Sequence, residues 1–349
     1  ELHSNADVSL PRKEQMDVAL MLYYTFWFIG NYFYTLWNKL AAVEAGGKAG
    51  GLLVTISVMQ LVVCALYAIL LWIVGYNPVT IFGLQAPVKQ PLPRIGFGDV
   101  ASMMILVFCY GAGHSSGVIA LTAGSPQFGQ IVKAAEPLFA ALVNTFIYSK
   151  SPSFAKWCCL PLIVGGVAIS TLKVDATGAY NVELDMTALK AGCMCNLFAA
   201  FKGSENHKVM NRAGLKDRLG GPGNQFGITN VLSLIILVPI MIAMEGHNWP
   251  RFVELCKTNS DFRYYLVMSG CVFYLYNELA TLTIKKSSAV TASVANTAKR
   301  AFVIIGVALA LGKELRFEEK LGASLAIGAV MLYSMVDQIF AKGTKHKAS

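Results

Sequence analysis

The chain has 349 residues, of which 55% are hydrophobic and 14% are charged, and its formal net charge is +9. A soluble domain usually carries about 25% charged residues, so this composition argues against an ordinary soluble protein. In a soluble chain the positive charge would suggest a nucleic-acid partner. Here most cations lie at the ends of apolar runs, which is typical of topology signals, and we expect no nucleic acid to bind.

The apolar residues form runs close to or longer than the roughly 20 residues that a membrane helix needs. Because a bilayer offers no water to the backbone, such runs must be helices. The connections are short and polar, and none is long enough for a separate soluble domain. We therefore predict an all-α polytopic membrane protein with ten transmembrane helices. The predicted spans are 17–43, 50–76, 98–121, 125–149, 153–173, 186–212, 224–246, 262–284, 288–311 and 317–341.

The second half of the chain repeats the first at a shift of 163 residues, so that Lys150 and Phe154 recur as Lys313 and Phe317. Each half holds five predicted helices, so the second copy enters the membrane from the opposite side. Such inverted repeats are typical of alternating-access transporters, whose substrate site lies near the midplane between the halves. The predicted parts are the tails 1–16 and 342–349, the repeats 17–173 and 186–341, and the linker 174–185.

The distribution of Lys and Arg among the connections predicts the orientation. More of them fall on the side that carries both termini, which is therefore expected to be the inner, cytoplasm-like face. The chain begins with Glu1 instead of Met. We expect from this a processed or trimmed chain from which any targeting peptide is gone.

The eight cysteines mostly fall inside apolar runs, where we interpret them as buried free thiols. Cys193 and Cys195 lack the spacing and the histidine pair of a zinc site. There is no nucleophile elbow and no phosphate-binding glycine loop with Lys-Ser, and the glycines at 220–223 are typical of a loop. We expect no enzyme, no metal and no cofactor.

Four cations lie deep inside predicted helices, where a Lys or Arg costs about 2.5–3.5 kcal/mol. These cations are Lys133, Lys202, Lys299 and Arg300. One explanation is structural ion pairing, because Glu136 lies one turn after Lys133 and Glu278 lies in the eighth predicted helix. Two carboxylates cannot neutralise four cations, so the surplus favours an anion site.

The repeat indicates where three of these cations meet. Under the shift Glu136 falls on Lys299 and Lys133 falls on Asn296, so equivalent faces of equivalent helices are polar. We expect Lys133, Lys299 and Arg300 to converge at the pseudo-two-fold axis. A phosphoryl group suits such a cluster, because it carries a charge of about −1.5 to −2 and three acceptor oxygens. The guanidinium offers a planar fork and each lysine a movable point charge.

Two further polar residues lie at the same predicted level. His114 is in the third span and Tyr276 in the eighth, and the shift places His114 on Asn277. Each is either a packing residue or a ligand for hydroxyl or carbonyl oxygens of an organic phosphate. Weaker candidates are Thr281, Thr291 and Asn296.

Two pairs of motifs resemble those of plastid triose-phosphate translocators. The stretch 273–283 resembles their eighth helix, and 293–304 resembles their Lys-Arg motif. In the first half, His114 and the stretch 133–139 are similar to their histidine and their Lys-Ala-x-Glu-Pro-x-Phe motif. The resemblance extends from about residue 17 to residue 341.

The resemblance implies a ten-helix drug/metabolite transporter fold in a plastid inner envelope. It implies strict counter-exchange of inorganic phosphate with triose phosphate, 3-phosphoglycerate or related phosphates. By motif, Lys133, Lys299 and Arg300 are then similar to phosphate ligands, and His114 and Tyr276 match positions that contact the substrate. We expect a monomer whose partners are these small molecules and the lipid bilayer.

The chain also departs from the family pattern. Lys202 falls where the family often has Arg, and Gly117 stands where relatives often carry Ser or Thr. Relatives specialised for phosphoenolpyruvate tend to have Asn at the histidine position, so His114 favours triose phosphate. Glucose 6-phosphate remains an alternative substrate.

Two other functions compete with this hypothesis. A nucleotide-sugar carrier of the endoplasmic reticulum or Golgi would share the fold, and the tail 345–349 fits either a dilysine-type signal or a basic disordered end. Lys133 and the Lys-Arg pair argue against it. An intramembrane enzyme acting on lipid phosphates would need a nucleophile or metal ligands beside the cations, and the sequence offers none.

Overall fold

The computed structural model describes residues 18–175, 179–182, 184–287 and 289–346. These residues form an all-helical membrane protein with two short β-hairpins. The helices are α1 (Val18–Glu44), α2 (Leu53–Val74), α3 (Phe97–Thr122), α4 (Pro126–Lys133), α5 (Glu136–Phe146), α6 (Phe154–Ile169), α7 (Met186–Asn211), α8 (Leu215–Leu219), α9 (Pro222–Glu245), α10 (Trp249–Thr258), α11 (Ser260–Lys286), α12 (Ala289–Ala310) and α13 (Phe317–His346). The strands are β1 (Tyr76–Asn77), β2 (Val88–Lys89), β3 (Leu172–Val174) and β4 (Tyr180–Val182).

Each predicted span except 125–149 coincides with one helix, within a few residues at its ends. Four helical segments of the described chain are long and apolar enough by themselves to cross a membrane. These segments are Leu53–Val74, Phe97–Thr122, Pro222–Thr258 and Phe317–Asp337. The other long helices carry polar or charged residues on an inner face, which lowers their hydropathy. The number of crossings therefore stays a prediction.

The span 125–149 is two helices, and the expectation of one continuous helix is wrong. The α4 helix begins with the Ser125 hydroxyl accepting from the backbone N–H of Phe128 (3.1 Å) and ends at Lys133. The α5 helix begins two residues later, at Glu136. Pro137 explains the break, because it has no N–H and its ring would clash with the carbonyl one turn earlier.

The connections contain more structure than the sequence suggested. The segment after α2 pairs β1 with β2, with Tyr76 opposite Lys89. The predicted linker 174–185 overlaps an antiparallel hairpin in which β3 pairs with β4 and Leu172 lies opposite Val182. The short helices α8 and α10 lie in the connections before α9 and α11. The tails 1–16 and 347–349 lie outside the described residues.

The α1 helix packs antiparallel along α11, and α3 packs along α7. Tyr34 meets Phe273 (ring centroids 5.1 Å apart), and Trp37 meets Tyr264 (5.8 Å) further along the same pair. Gly30 allows this close approach, because a β-carbon there would lie 2.8 Å from the Tyr276 β-carbon. These two pairs enclose the centre of the molecule.

Two further antiparallel pairs complete the bundle, α2 with α9 and α6 with α13. The Trp72 indole donates to Asn224 Oδ1 (2.9 Å) between α2 and α9. The backbones of α6 and α13 touch at glycines, since a β-carbon at Gly166 would lie 2.5 Å from the Ala326 nitrogen. These contacts leave α4, α5 and α12 free to border a central cavity.

Candidate functional site

A cavity of about 540 Å³ lies at the centre of the bundle. Residues of α1, α3, α4, α5, α7, α11 and α12 line it, so both halves of the chain contribute. The structure places all six residues singled out in the sequence on this wall. They are His114, Lys133, Lys202, Tyr276, Lys299 and Arg300.

The two halves are joined directly at the cavity by an ion pair. Arg300 Nη2 of α12 donates to Glu136 Oε2 of α5 over 2.9 Å, and only 8% of Arg300 is exposed. The sequence suggested Lys133 as the structural partner of Glu136. The helix break separates these two residues and turns the carboxylate toward Arg300 instead.

Two of the lysines lie over aromatic rings. Lys299 Nζ is 4.8 Å from the ring centroid of Trp27, and Lys202 Nζ is 5.8 Å from that of Tyr110. A ring face attracts a cation through its quadrupole but does not neutralise the charge. Both lysines therefore keep a full positive charge at the cavity wall.

The charges on the cavity wall do not balance. Among the described residues that line it, four are cations and Glu136 alone is a carboxylate. Glu278 faces a second cavity of about 350 Å³, where its Oε1 accepts from Asn77 Nδ2 (2.6 Å). Structural pairing thus accounts for Arg300 and leaves three cations for an anionic ligand.

His114 and Tyr276 lie against one aromatic cluster on the cavity wall. His114 Nε2 donates to the Ser57 carbonyl (3.2 Å), and its ring lies 4.3 Å from that of Phe273. Because Nε2 carries this hydrogen, the neutral ring has Nδ1 as an acceptor. The Tyr276 ring packs 5.6 Å from Phe273 and 5.4 Å from Tyr34.

The Gly117 departure from the family pattern lies at the site itself. A β-carbon there would be 3.5 Å from Lys133 Nζ and 3.2 Å from Cys195 Sγ. Of the weaker candidates, Asn296 lines the main cavity and Thr281 lines the second one. Thr291 is on neither wall.

Sequence reasoning missed several residues of the wall. Trp27, Asn31 and Tyr34 form one stripe of α1, and Tyr110 and Gln130 come from α3 and α4. Asn31 gave a usable signal, because an amide inside an apolar run needs a polar neighbour. The aromatic residues gave none, since such rings occur throughout the predicted spans.

The site has the character of a binding site. In the described part of the chain, no three His, Cys, Asp or Glu side chains are grouped as a metal site would require. The eight cysteines are free thiols. The cavity can therefore hold an anion through charge and hydrogen bonds.

Comparison with known proteins agrees with this geometry. The model of the Triose-phosphate Transporter family matches residues 18–334. The chain belongs to this family. A solved crystal structure with 13% sequence identity aligns with a TM-score of 0.52, over 90% of this chain and 98% of that chain, which is a likeness of fold alone.

Relatives of this transporter are phosphate translocators by name. It is 25% identical to the chloroplastic triose phosphate/phosphate translocator of Zea mays, over 80% of this chain and 63% of the relative. It is 26% identical to glucose-6-phosphate/phosphate translocator 1 of Arabidopsis thaliana, over 69% and 60%. It is 27% identical to phosphoenolpyruvate/phosphate translocator 3 of Oryza sativa subsp. japonica, over 77% and 66%. The chain thus spans about three fifths of the length of these relatives.

Proposed function

We propose that this protein exchanges inorganic phosphate for triose phosphate or 3-phosphoglycerate across the inner envelope membrane of a plastid. The observation that carries the proposal is the charge of the central cavity, where four cations surround a single carboxylate. The names of the relatives, all chloroplastic phosphate translocators, support the same substrate class and compartment. Glucose 6-phosphate is the alternative organic substrate.

Each residue of the cavity has a proposed role. Lys133 and Lys299 bind the phosphoryl oxygens as point charges, and Arg300 presents its guanidinium fork while Glu136 holds it in place. His114 and Tyr276 contact the carbon portion of the organic substrate.

Lys202 has a less direct role. It lies over Tyr110, on the α7 side of the cavity, and is proposed to attract the second charged group of 3-phosphoglycerate. The cavity volume falls in the range of small-molecule sites, about 300–1,000 Å³. Because one chain supplies the described wall, we propose the monomer as the transporting unit.

We further propose that residues 17–173 and 186–341 are inverted five-helix repeats that support alternating access. The helix starts Phe97, Pro126 and Phe154 recur 163 residues later at Ser260, Ala289 and Phe317. Exchange of the two repeats would turn the α1–α11 pair into the α7–α3 pair, and both pairs are closely packed. An alternating-access site belongs between such repeats.

The competing functions have less support. A nucleotide-sugar carrier would share the fold, but it has no evident use for three unpaired cations beside a guanidinium. An enzyme acting on lipid phosphates would need a nucleophile or a metal, and the described cavity wall offers no grouped metal ligands.

The test is counter-exchange in liposomes that contain the purified protein. One set is preloaded with inorganic phosphate and another with a nucleotide. We expect uptake of labelled triose phosphate only with internal phosphate. Uptake of a nucleotide sugar against internal nucleotide would overturn the proposal, as would hydrolysis of a lipid phosphate.

The same charges predict obligatory exchange. Closing both gates excludes water, and like charges a few ångströms apart repel by about 4 kcal/mol at an effective dielectric near 20. The empty carrier therefore rarely crosses, whereas a bound phosphate cancels most of the charge and ties both halves to one ligand. We expect labelled phosphate to leave liposomes quickly into phosphate buffer and slowly into substrate-free buffer. Similar rates, or net uptake driven by a proton gradient, would contradict the mechanism.

A further inference from the structure

Lys299 and Arg300 are neighbours in the chain but are held in different ways. Arg300 is paired with Glu136, so its charge is balanced. In the described part of the chain Lys299 forms no ion pair, and its Nζ lies 4.8 Å from the centroid of the Trp27 ring. The ring orients the ammonium without cancelling its charge.

Trp27 has a second feature that the holding of Lys299 does not require. Its side chain is almost fully buried, with 3% exposed, and it lines the cavity. Its Nε1–H has no hydrogen-bond partner in the described part of the chain. A buried indole N–H usually finds a partner, so a donor left open at a cavity wall suits a ligand oxygen.

The position of the ring is fixed by its surroundings. Trp27 stacks 6.2 Å from Tyr24 and meets Phe28 edge-on at 5.8 Å. One turn further along α1, Gly30 is in close contact with Tyr276 of α11. The indole therefore cannot turn away from Lys299 without moving α1 against α11.

Tyr110 shows what a ring does when it only holds a lysine. It lies under Lys202, and its hydroxyl already donates to Asn230 Oδ1 over 3.0 Å. Its polar group is therefore used within the protein. The open donor distinguishes Trp27 from this otherwise similar arrangement.

We infer that Trp27 is a substrate-binding residue of the phosphate subsite, which holds Lys299 with its ring face and donates its Nε1–H to a phosphoryl oxygen. The inference rests on the proposed function for the identity of the ligand. It assigns the first helix a part in recognition beside α4 and α12. The ligand class is an oxyanion with at least two acceptor oxygens, one for the ammonium and one for the indole.

Substitutions at residue 27 separate the two roles. Trp27→Phe keeps a ring face and removes the N–H, whereas Trp27→Leu removes both. We expect Trp27→Phe to raise the Kd for labelled inorganic phosphate about tenfold to a hundredfold, the range for a hydrogen bond to a charged group. Trp27→Leu should raise it about tenfold more, because Lys299 is no longer held. Trp37→Phe, on the same helix and outside the cavity, is the matched control and should bind as wild type does.

The spectroscopic test leaves residue 27 unchanged and so stands even if a substituted protein fails to fold. The chain has five tryptophans, and replacing Trp37, Trp72, Trp157 and Trp249 with Phe leaves Trp27 as the single emitter. Titrating this full-length protein in detergent with inorganic phosphate should shift its emission. Sulfate and chloride at the same ionic strength serve as comparison anions.

The results distinguish this inference from the proposed function. Wild-type affinity in Trp27→Phe, or constant emission during saturation with phosphate, would overturn the role of Trp27. Equal Kd values in Trp27→Phe and Trp27→Leu would overturn the holding of Lys299. If Lys133→Ala retains wild-type phosphate affinity, the proposed function fails, whatever the behaviour of Trp27.

Discussion

The segments 126–146 and 289–310 occupy corresponding positions in the two halves, but their helices differ. The first is broken into α4 and α5, whereas the second is the continuous helix α12. The residue that explains the break is Pro137, and the position 163 residues later holds Arg300. One half therefore has a helix break where the other half has a buried guanidinium.

The difference explains how a nearly symmetric frame builds an asymmetric site. The break makes Glu136 the first residue of α5, where a carboxylate is favoured by the helix dipole. From there it reaches Arg300 on the continuous helix. One half supplies the carboxylate and Lys133, and the other supplies Lys299 and Arg300, so the net charge of the cavity comes from unequal contributions.

The largest expected effect removes the cations on either side of this comparison. Lys133→Ala, Lys299→Ala and Arg300→Ala should each reduce phosphate exchange to background while the protein still inserts and folds, because each cation binds the transported anion. Exchange in liposomes is the measurement. Lys48→Ala, an exposed lysine outside the cavity, is the control and should exchange normally. Near-normal exchange by two of the three variants would remove the site assignment.

Healing the helix break should have the next largest effect. Pro137→Ala restores an N–H and allows α4 to continue into α5, which would displace Lys133 and Glu136 from their present positions. We expect exchange to fall about tenfold, since misplacing a ligand by an ångström can cost as much. Pro161→Ala, in the exposed face of α6, is the matched control. Unchanged exchange by Pro137→Ala would show that the break has no part in the site.

A smaller, selective effect is expected at His114, whose counterpart in the second half is Asn277. His114→Ala should reduce triose-phosphate exchange several-fold more than phosphate–phosphate exchange. Inorganic phosphate has no carbon portion for this side chain to contact, and one lost hydrogen bond changes binding by about this factor. The two exchange rates are measured on the same liposome preparation. Equal losses for both substrates would contradict the placement of His114.

The smallest effect concerns the ion pair that joins the two segments. Glu136→Gln should lower the free energy of unfolding by about 1–2 kcal/mol, because it leaves Arg300 buried while the carboxylate it replaces is partly exposed. Thermal unfolding in detergent is the measurement. Combining Glu136→Gln with Arg300→Met should recover part of the loss, as expected for residues in contact. Strictly additive losses would show that the pair does not couple the halves.

Much of the helical frame could be predicted because a bilayer permits few structures. Long apolar runs must be helices, and each predicted span other than 125–149 coincides with a helix. Pro137 was visible in the sequence, but a proline can kink a helix, end it or be accommodated. Which of these occurs depends on what packs against the freed carbonyls.

The candidate site was also partly visible. A lysine or arginine deep in an apolar run is too costly to face lipid, so Lys133, Lys202, Lys299 and Arg300 had to turn inward. The roles of Glu136 and Glu278 could not be separated in this way, because both are carboxylates inside helices. The structure places Glu136 at Arg300 and Glu278 in a different cavity.

The sequence by itself determined which residues are too polar for lipid and must meet inside the protein. Only the tertiary structure decided which of them meet each other and which rings border the cavity. Trp27 is the clearest case, since nothing in its neighbourhood along the chain separates it from Trp37. The reason is physical: the cost of exposing a charge to lipid depends on the residue alone, whereas pairing with Glu136 or resting on an indole depends on helices brought together from opposite halves of the chain.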